Sequence, residues 1–183
     1  MKKIILGIFL TTLFSVAFSQ KDKGIDPPYL PMDEDTKLVT YKEVVNEKGS
    51  PQELYDRAME WVKKYYKNTG EVIKNADREK GVITMRSSVK IYVTLKDGTK
   101  KLKNIVYYNF KLECRQDRYR FTITDFNEKA TSASPIEEYY NTKNPLWSLD
   151  QYQFLIQIDE QIKELIESLE EGMYPKVEKV DEW

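Results

Sequence analysis

The 183-residue chain contains no histidine and a single cysteine, Cys114, and these two facts set most of the chemistry open to it. Without an imidazole it lacks the commonest general base, the usual activator of a serine or cysteine nucleophile and the usual zinc ligand. Cys114 alternates with Phe110 and Leu112, so its thiol is expected in an apolar core, where cysteine behaves as a small inert hydrophobe. With no second cysteine an internal disulfide is impossible. Asp33-Glu34-Asp35 lacks the spaced oxygen ligands and the glycine of a calcium loop and reads as a solvated acidic turn. Glu137-Glu138, beside Tyr139-Tyr140, is the remaining carboxylate pair. Glycoside hydrolysis requires two carboxyl groups at a set separation across the scissile bond, which adjacency in sequence does not supply.

The other unusual feature is aromatic content, with 13 tyrosines and three tryptophans. Trp61 and Tyr65 fall on the apolar face of a helical pattern and Tyr119 on the inward face of a strand pattern, where aromatic bulk fills a core. Tyr92 and Tyr107 have the opposite parity, shared with Arg86, Lys90, Lys111, Arg115, Arg118 and Arg120. Tyrosine and arginine are enriched in recognition surfaces, although a solvated outer face is also the ordinary state of an antiparallel sheet. The candidate binding residues are Arg86, Lys90, Tyr92, Lys111, Arg118 and Arg120, expected to meet an anionic ligand or an unknown envelope protein. No catalytic residue, metal ligand or cofactor is assigned.

These residues need elements to hold them. From Leu38 to Val45, Val39, Tyr41 and Val45 alternate with Thr40 and Lys42 as in a half-buried strand, with a break near Glu43 and Val44. Ser50-Pro51-Gln52-Glu53 combines an N-cap hydroxyl, a proline at the first helical position and a glutamate placed to complete a capping box. Leu54, Ala58, Trp61, Val62 and Tyr65 then recur at helical spacing until Asn68-Thr69-Gly70. A short strand near Glu71–Lys74 and a turn over Asp77–Gly81 lead into the longest alternation, Ile83, Met85, Val89, Ile91, Val93 and Leu95 against Thr84, Arg86, Ser88, Lys90 and Thr94. Lys96-Asp97-Gly98-Thr99 is a hairpin signal. Strands over about Ile105–Arg115 and Arg118–Phe126 follow, joined at Gln116-Asp117. Residues 127–147 read as a long loop. Ser148 is placed to cap a last helix whose stripe is Leu155, Ile158, Ile162, Leu165 and Leu169 and which Gly172 and Pro175 should end. The order strand, helix, four strands, helix predicts an α+β domain, one antiparallel sheet with helices packed on one face.

The first residues carry a different signal. Lys2 and Lys3, an apolar stretch from Ile4 to Phe18, and small residues at Ala17 and Ser19 before Gln20 read as a cleaved secretory leader. The stretch is short of the roughly 20 apolar residues a spanning helix requires, so no stable membrane insertion is expected after cleavage. The expected organisation is a signal peptide over 1–19, an irregular lead-in over 20–37 containing Pro27, Pro28 and Pro31, one α+β domain over 38–171, and a tail over 172–183. The whole chain has 29 basic and 30 acidic side chains, and the leader removes two of the former. Such a balance is not that of a nucleic-acid binder, which shows a strongly basic domain. The location expected is the periplasm or the exterior.

With its elements placed, the chain resembles the bacterial domain-of-unknown-function family 4468. The likeness rests on Leu38-Val39-Thr40-Tyr41 after the acidic lead-in, Leu54-Tyr55-Asp56-Arg57-Ala58 with Trp61, Asp117-Arg118-Tyr119-Arg120-Phe121-Thr122, and Ile158-Asp159 with Leu165-Ile166-Glu167-Ser168-Leu169. The resemblance implies a TBP-like fold in the order β-α-β4-α and an exported protein. It implies no catalytic residue, and the fold's name carries no DNA binding, because a fold does not fix a function. The leading reading is a non-enzymatic binding or interaction module of the envelope; the alternative is a hydrolase working through carboxylates. Sequencing the N-terminus of the exported protein tests the leader: Gln20 is the expected first residue, and Met1 retained in the membrane fraction is the opposing result.

Overall fold

The computed structural model describes residues 26–129 and 134–175, so the leader expected at 1–19 and the chain beyond 175 lie outside the described residues. In order, the elements are β1 (Tyr41–Asn46), α1 (Pro51–Tyr65), α2 (Thr69–Val72), β2 (Ile73–Asp77), β3 (Val82–Thr94), β4 (Lys100–Arg115), β5 (Arg118–Glu128), β6 (Ser134–Pro135), a 3-10 helix (Ile136–Tyr140) and α3 (Asp150–Met173). Among the described residues no helix is long and apolar enough to cross a membrane.

The sheet is antiparallel throughout, in the order β1-β5-β4-β3-β2, with β6 pairing β5 beyond the end of β1. Its inner face follows the predicted parity: Met85, Phe110, Ile123 and Tyr41 are register partners across four strands, and all four are buried. Asp125, at φ 60°, takes up a register shift between β4 and β5. This bulge resets the alternation, so that Phe126 joins Tyr119, Phe121 and Ile123 in the core. The buried hydrophobic side chains of the described residues, from Leu30 to Met173, form one cluster.

α1 begins as its sequence dictates. The Ser50 hydroxyl accepts the Glu53 N–H at 3.2 Å and the Glu53 carboxylate accepts the Ser50 N–H at 2.7 Å, behind Pro51. The reciprocal bonds satisfy donors that a helix start leaves without partners. Tyr65, expected in the core, is instead 42% exposed and stacks on Trp61 at 5.2 Å between ring centres.

α3 differs from expectation at both ends. Ser148 provides no side-chain cap; Leu149 precedes the helix in helical φ/ψ, and the Ser148 and Leu149 carbonyls accept the N–H groups of Gln151 and Tyr152. At the far end the helix continues through Gly172 to Met173, which is buried. Gly172 is there for packing rather than termination, since a Cβ at that position would stand 2.5 Å from Trp61 Cδ1 and 2.9 Å from Trp61 Cβ. Residues 127–147 also differ, because β5 runs to Glu128 and the 3-10 helix buries Ile136 and Tyr139. Proline and serine give that stretch a loop composition, but Ile136 and Tyr139, one turn apart, supply the apolar stripe that draws it onto α3.

One device protects the sheet edge. β2 pairs with β3 only as far as Met85, leaving outward-facing backbone groups at Lys90 and Tyr92. Gln161 and Gln157, one turn apart on α3, complete them. Each amide accepts a backbone N–H, at 3.3 Å from Lys90 and 2.9 Å from Tyr92, and donates to the same residue's carbonyl, at 3.1 and 3.0 Å. Two glutamines thereby stand in for a neighbouring strand and close an edge that would otherwise be open to pairing.

Gly172→Ala tests how tightly the helices are locked. In a free helix the change stabilises by about 1 kcal/mol; against a Trp61 backed by Phe110 and hydrogen-bonded to Ser168 of α3 itself, overpacking outweighs this and the expected net effect is a loss of about 1–3 kcal/mol. Chemical denaturation gives the sign, and a more stable variant would show that α1 and α3 can move apart.

Candidate functional site

The outer face of the sheet holds the predicted binding residues, in separate groups. The first lies where β4 turns into β5. That turn is fixed from behind: Asp117, at φ 56°, donates its N–H to the Gly49 carbonyl at 3.0 Å, accepts the Gly49 N–H on its carboxylate at 3.2 Å, and accepts the Glu47 N–H on its carbonyl at 3.2 Å. The strands leaving it are therefore tied to the connection between β1 and α1. Along them Arg115 is the register partner of Arg118 and Glu113 of Arg120, all on the outer face by parity.

Glu113 organises this corner. Arg120 Nε lies 2.9 Å and its Nη2 2.5 Å from Glu113 Oε2, while Lys111 Nζ lies 3.0 Å from Oε1. Partial burial pushes the Glu113 carboxyl up, but the hydrogen bonds and charges of Arg120 and Lys111 outweigh it and hold the group below the usual carboxylate range. Arg115 and Arg118 have no carboxylate partner among the described residues. Two cations thus bind one carboxylate, and Arg115 and Arg118 join them at an open depression of about 200 Å³ lined by Val44, Glu113, Arg115, Arg118, Tyr119 and Arg120.

Arg86 forms a second group in the middle of the face. Its guanidinium lies 5.5 Å from the centre of the Tyr107 ring, within cation–π range, and 3.4 Å from Asn109 Oδ1. Asn109 and Asn127 in turn each donate to the Asp125 carboxylate at 2.7 Å, so this group carries its own counter-charge. Lys90 and Tyr92 lie four and six residues further along β3, roughly 13 and 20 Å at strand rise, on the edge clamped by Gln161 and Gln157. The structure therefore brings together Lys111, Arg118 and Arg120 and sets Arg86, Lys90 and Tyr92 apart from them. Arg115 and Glu113 complete the corner. Glu113 has the outer-face parity between Lys111 and Arg115, which is the signal that could have found it.

The other candidates have structural partners. Glu137 accepts the Val39 N–H at 2.6 Å and Glu138 accepts from the Asn141 amide at 3.1 Å. Asp33 closes its own turn, accepting from Thr36 N–H at 3.0 Å, and these bonds hold its carboxyl below the usual range. Several tyrosine hydroxyls are pegs: Tyr41 donates to Asp159 at 2.8 Å, Tyr140 to the Pro28 carbonyl at 2.9 Å, and Tyr139 to Glu128. Cys114 is 3% exposed, and burial pushes its thiol up to about 12. Its backbone N–H donates to the Gly81 carbonyl at 2.7 Å, and a Cβ on Gly81, at φ 65°, would come within 2.6 Å of the Cys114 carbonyl oxygen.

A five-stranded antiparallel sheet with helices packed on it in this order defines the TBP-like α+β class. Residues 41–129 match the family described as "Domain of unknown function (DUF4468) with TBP-like fold", and the chain carries a DUF4468 domain. Two solved structures share the fold. One is a TBP-like protein from Parabacteroides distasonis, 19% identical, with a TM-score of 0.59 over 78% of this chain and 96% of that one. The other is a DUF4468 family protein from Bacteroides ovatus, 14% identical, with a TM-score of 0.63 over 81% of this chain and 93% of that one. No curated protein matches the chain. The family is one of unknown function, so the match brings no activity with it.

The burial of Cys114 sets a reactivity. A bulky thiol reagent is expected to leave the native protein unmodified at neutral pH while modifying it readily in denaturant, and Cys114→Ala should cost about 1 kcal/mol. Rapid native-state modification would show that the strand β4 opens at this end.

Proposed function

We propose that the protein is a non-enzymatic binding module that works outside the cytoplasm and takes an anionic group of its ligand or partner at the corner formed by Lys111, Arg115, Arg118 and Arg120. The observation that carries this reading is the charge imbalance, four cations against the one carboxylate of Glu113, on two strands whose turn is pinned by Asp117. Arginine presents a planar fork suited to carboxylate and phosphate, and a fork already held in place loses less freedom on binding. Glu113 acts here as a resident stand-in for the ligand's anion, holding Arg120 extended until a better acceptor arrives.

The test uses labelled polyglutamate and labelled polyphosphate as probes, followed by anisotropy at low and physiological salt. Arg115→Gln, Arg118→Gln and Arg120→Gln combined should weaken binding of at least one probe about tenfold or more and leave melting nearly unchanged, because exposed ion pairs contribute about 0–1 kcal/mol. Glu113→Gln should tighten binding of that probe, since it frees Arg120 and Lys111. A triple variant that binds both probes like the parent would sink the proposal.

A further inference from the structure

Beyond the body of the sheet, β3 and β4 continue as a two-stranded arm. β5 pairs with β4 only as far as Val106, β2 with β3 only as far as Met85, and the glutamine clamps end at Tyr92. From there to the turn the two strands pair with each other alone. Gly98, at φ 83°, and the Leu95–Thr99 backbone bond close the arm, and Asp97 accepts the Thr99 N–H at 2.9 Å.

The arm has an unusual surface. Lys90 at its base and Lys96, Lys100, Lys101 and Lys103 along it are all exposed, and none has a carboxylate partner among the described residues. The only acid between them, Asp97, is engaged in its own turn. In a chain whose formal net charge is −1, this is a local concentration of positive charge. Set among the lysines are exposed apolar side chains: Tyr92 and Leu102, which are register partners, and Leu95 at the turn. α3 runs antiparallel to β3, since Gln161 meets Lys90 and Gln157 meets Tyr92. Its start therefore lies toward the same end, preceded by Leu146 and Leu149, which are 87% and 49% exposed. Asp150, in the first turn of α3, and Glu128, paired with Val106 at the base of the arm, are acids toward this end. These four are the exposed leucines of the described residues, and by this placement all lie toward one end of the molecule.

We propose that this end of the protein is a peripheral contact for an anionic lipid bilayer, with the lysines at the headgroups and Leu95, Leu102 and Tyr92 entering the interface. Lysine heads on long flexible stems suit a surface of mobile phosphates, whereas bidentate recognition of one fixed acid selects arginine. The parity of Leu102 and Leu95 puts apolar groups on both sides of a thin ribbon, which gives a fluid interface something to admit and a folded protein no single face to cover. Tyrosine among lysines is the composition favoured at the headgroup level. The arm is separate from the arginine corner: Leu102 and Glu113 are eleven residues apart on β4, roughly 35 Å.

The experiment is sedimentation of the chain beginning at Gln20 with vesicles of phosphatidylcholine alone and of phosphatidylcholine with phosphatidylglycerol. Binding is expected only to the second kind. Lys96→Gln, Lys100→Gln, Lys101→Gln and Lys103→Gln combined should weaken it about a hundredfold or more, at roughly fivefold per lysine. Leu95→Ser with Leu102→Ser should weaken it about tenfold or more at physiological salt, with melting unchanged because the arm lies outside the core. The Arg115, Arg118 and Arg120 triple variant should bind vesicles like the parent, so that failure here and failure of the arginine corner are read separately. Equal binding to both vesicles, or a lysine variant that binds like the parent, overturns the proposal. So does an undiminished leucine variant, and displacement by polyglutamate in that case would assign the arm to an acidic protein instead.

Discussion

Trp61 sits where α1, α3 and β4 meet, and the arrangement of those three elements follows from how its ring is held. Phe110 packs edge-on against it at 6.0 Å, its indole N–H donates to Ser168 at 3.1 Å, and Gly172 leaves room for it to pass beneath α3. A large aromatic of this kind contributes several kcal/mol by burial alone, and its position sets the spacing between the helices. With both helices drawn to one side, the inner face of β3, β4 and β5 is committed to Met85, Phe110, Leu112 and Phe121. Every residue of opposite parity is then sent outward, and the charged face is a consequence of the core.

An antiparallel sheet built this way has ends and edges to manage. Different parts of the chain do it by the same means, side chains that take the place of missing backbone partners. Gln157 and Gln161 complete the β3 edge, Asp117 ties the β4–β5 turn to Gly49, and Glu137 accepts the Val39 N–H ahead of β1. Each contact reaches across a long sequence separation. Beyond Tyr92 they leave the β3–β4 arm unbraced among the described residues, and its exposed side chains include Leu95, Lys96, Lys100, Lys101, Leu102 and Lys103.

Much of this was legible in the sequence because the strands are long and their alternation is strict. Ile83 to Ile91 and Phe110 to Cys114 leave one choice of inner face, and the Ser50, Pro51 and Glu53 box fixes the start of α1 by local chemistry. What escaped had non-local causes. Gly172 carries the local signature of a helix end, and only its contact with Trp61, more than a hundred residues away, explains why the helix runs through it. Ser148 is a suitable cap by composition, yet Leu149 already adopts the helical conformation and displaces it. In the candidate site, parity placed Arg118 and Arg120 on one face, but parity says nothing about distance along a strand. Parity therefore groups Arg86, Lys90 and Tyr92 with residues from which the register separates them, and it gives Glu113 the outer face without showing that it organises the corner.

The two cationic regions differ in a way that bears on what each can recognise. At the corner, Arg120 is held by Glu113 and the strands beneath it are pinned, so its guanidinium fork has few orientations and suits an anion of matching shape. On the arm and at its base, five lysines without carboxylate partners among the described residues keep their rotamer freedom, and a point charge on a flexible stem gains little from shape. Rigid forks give selectivity; mobile ammonium groups give attraction that depends on charge density and is screened by salt. Carried on the same strand β4 but far apart along it, the two would let one chain hold a specific partner at one end while the other end rests on a surface of diffuse negative charge.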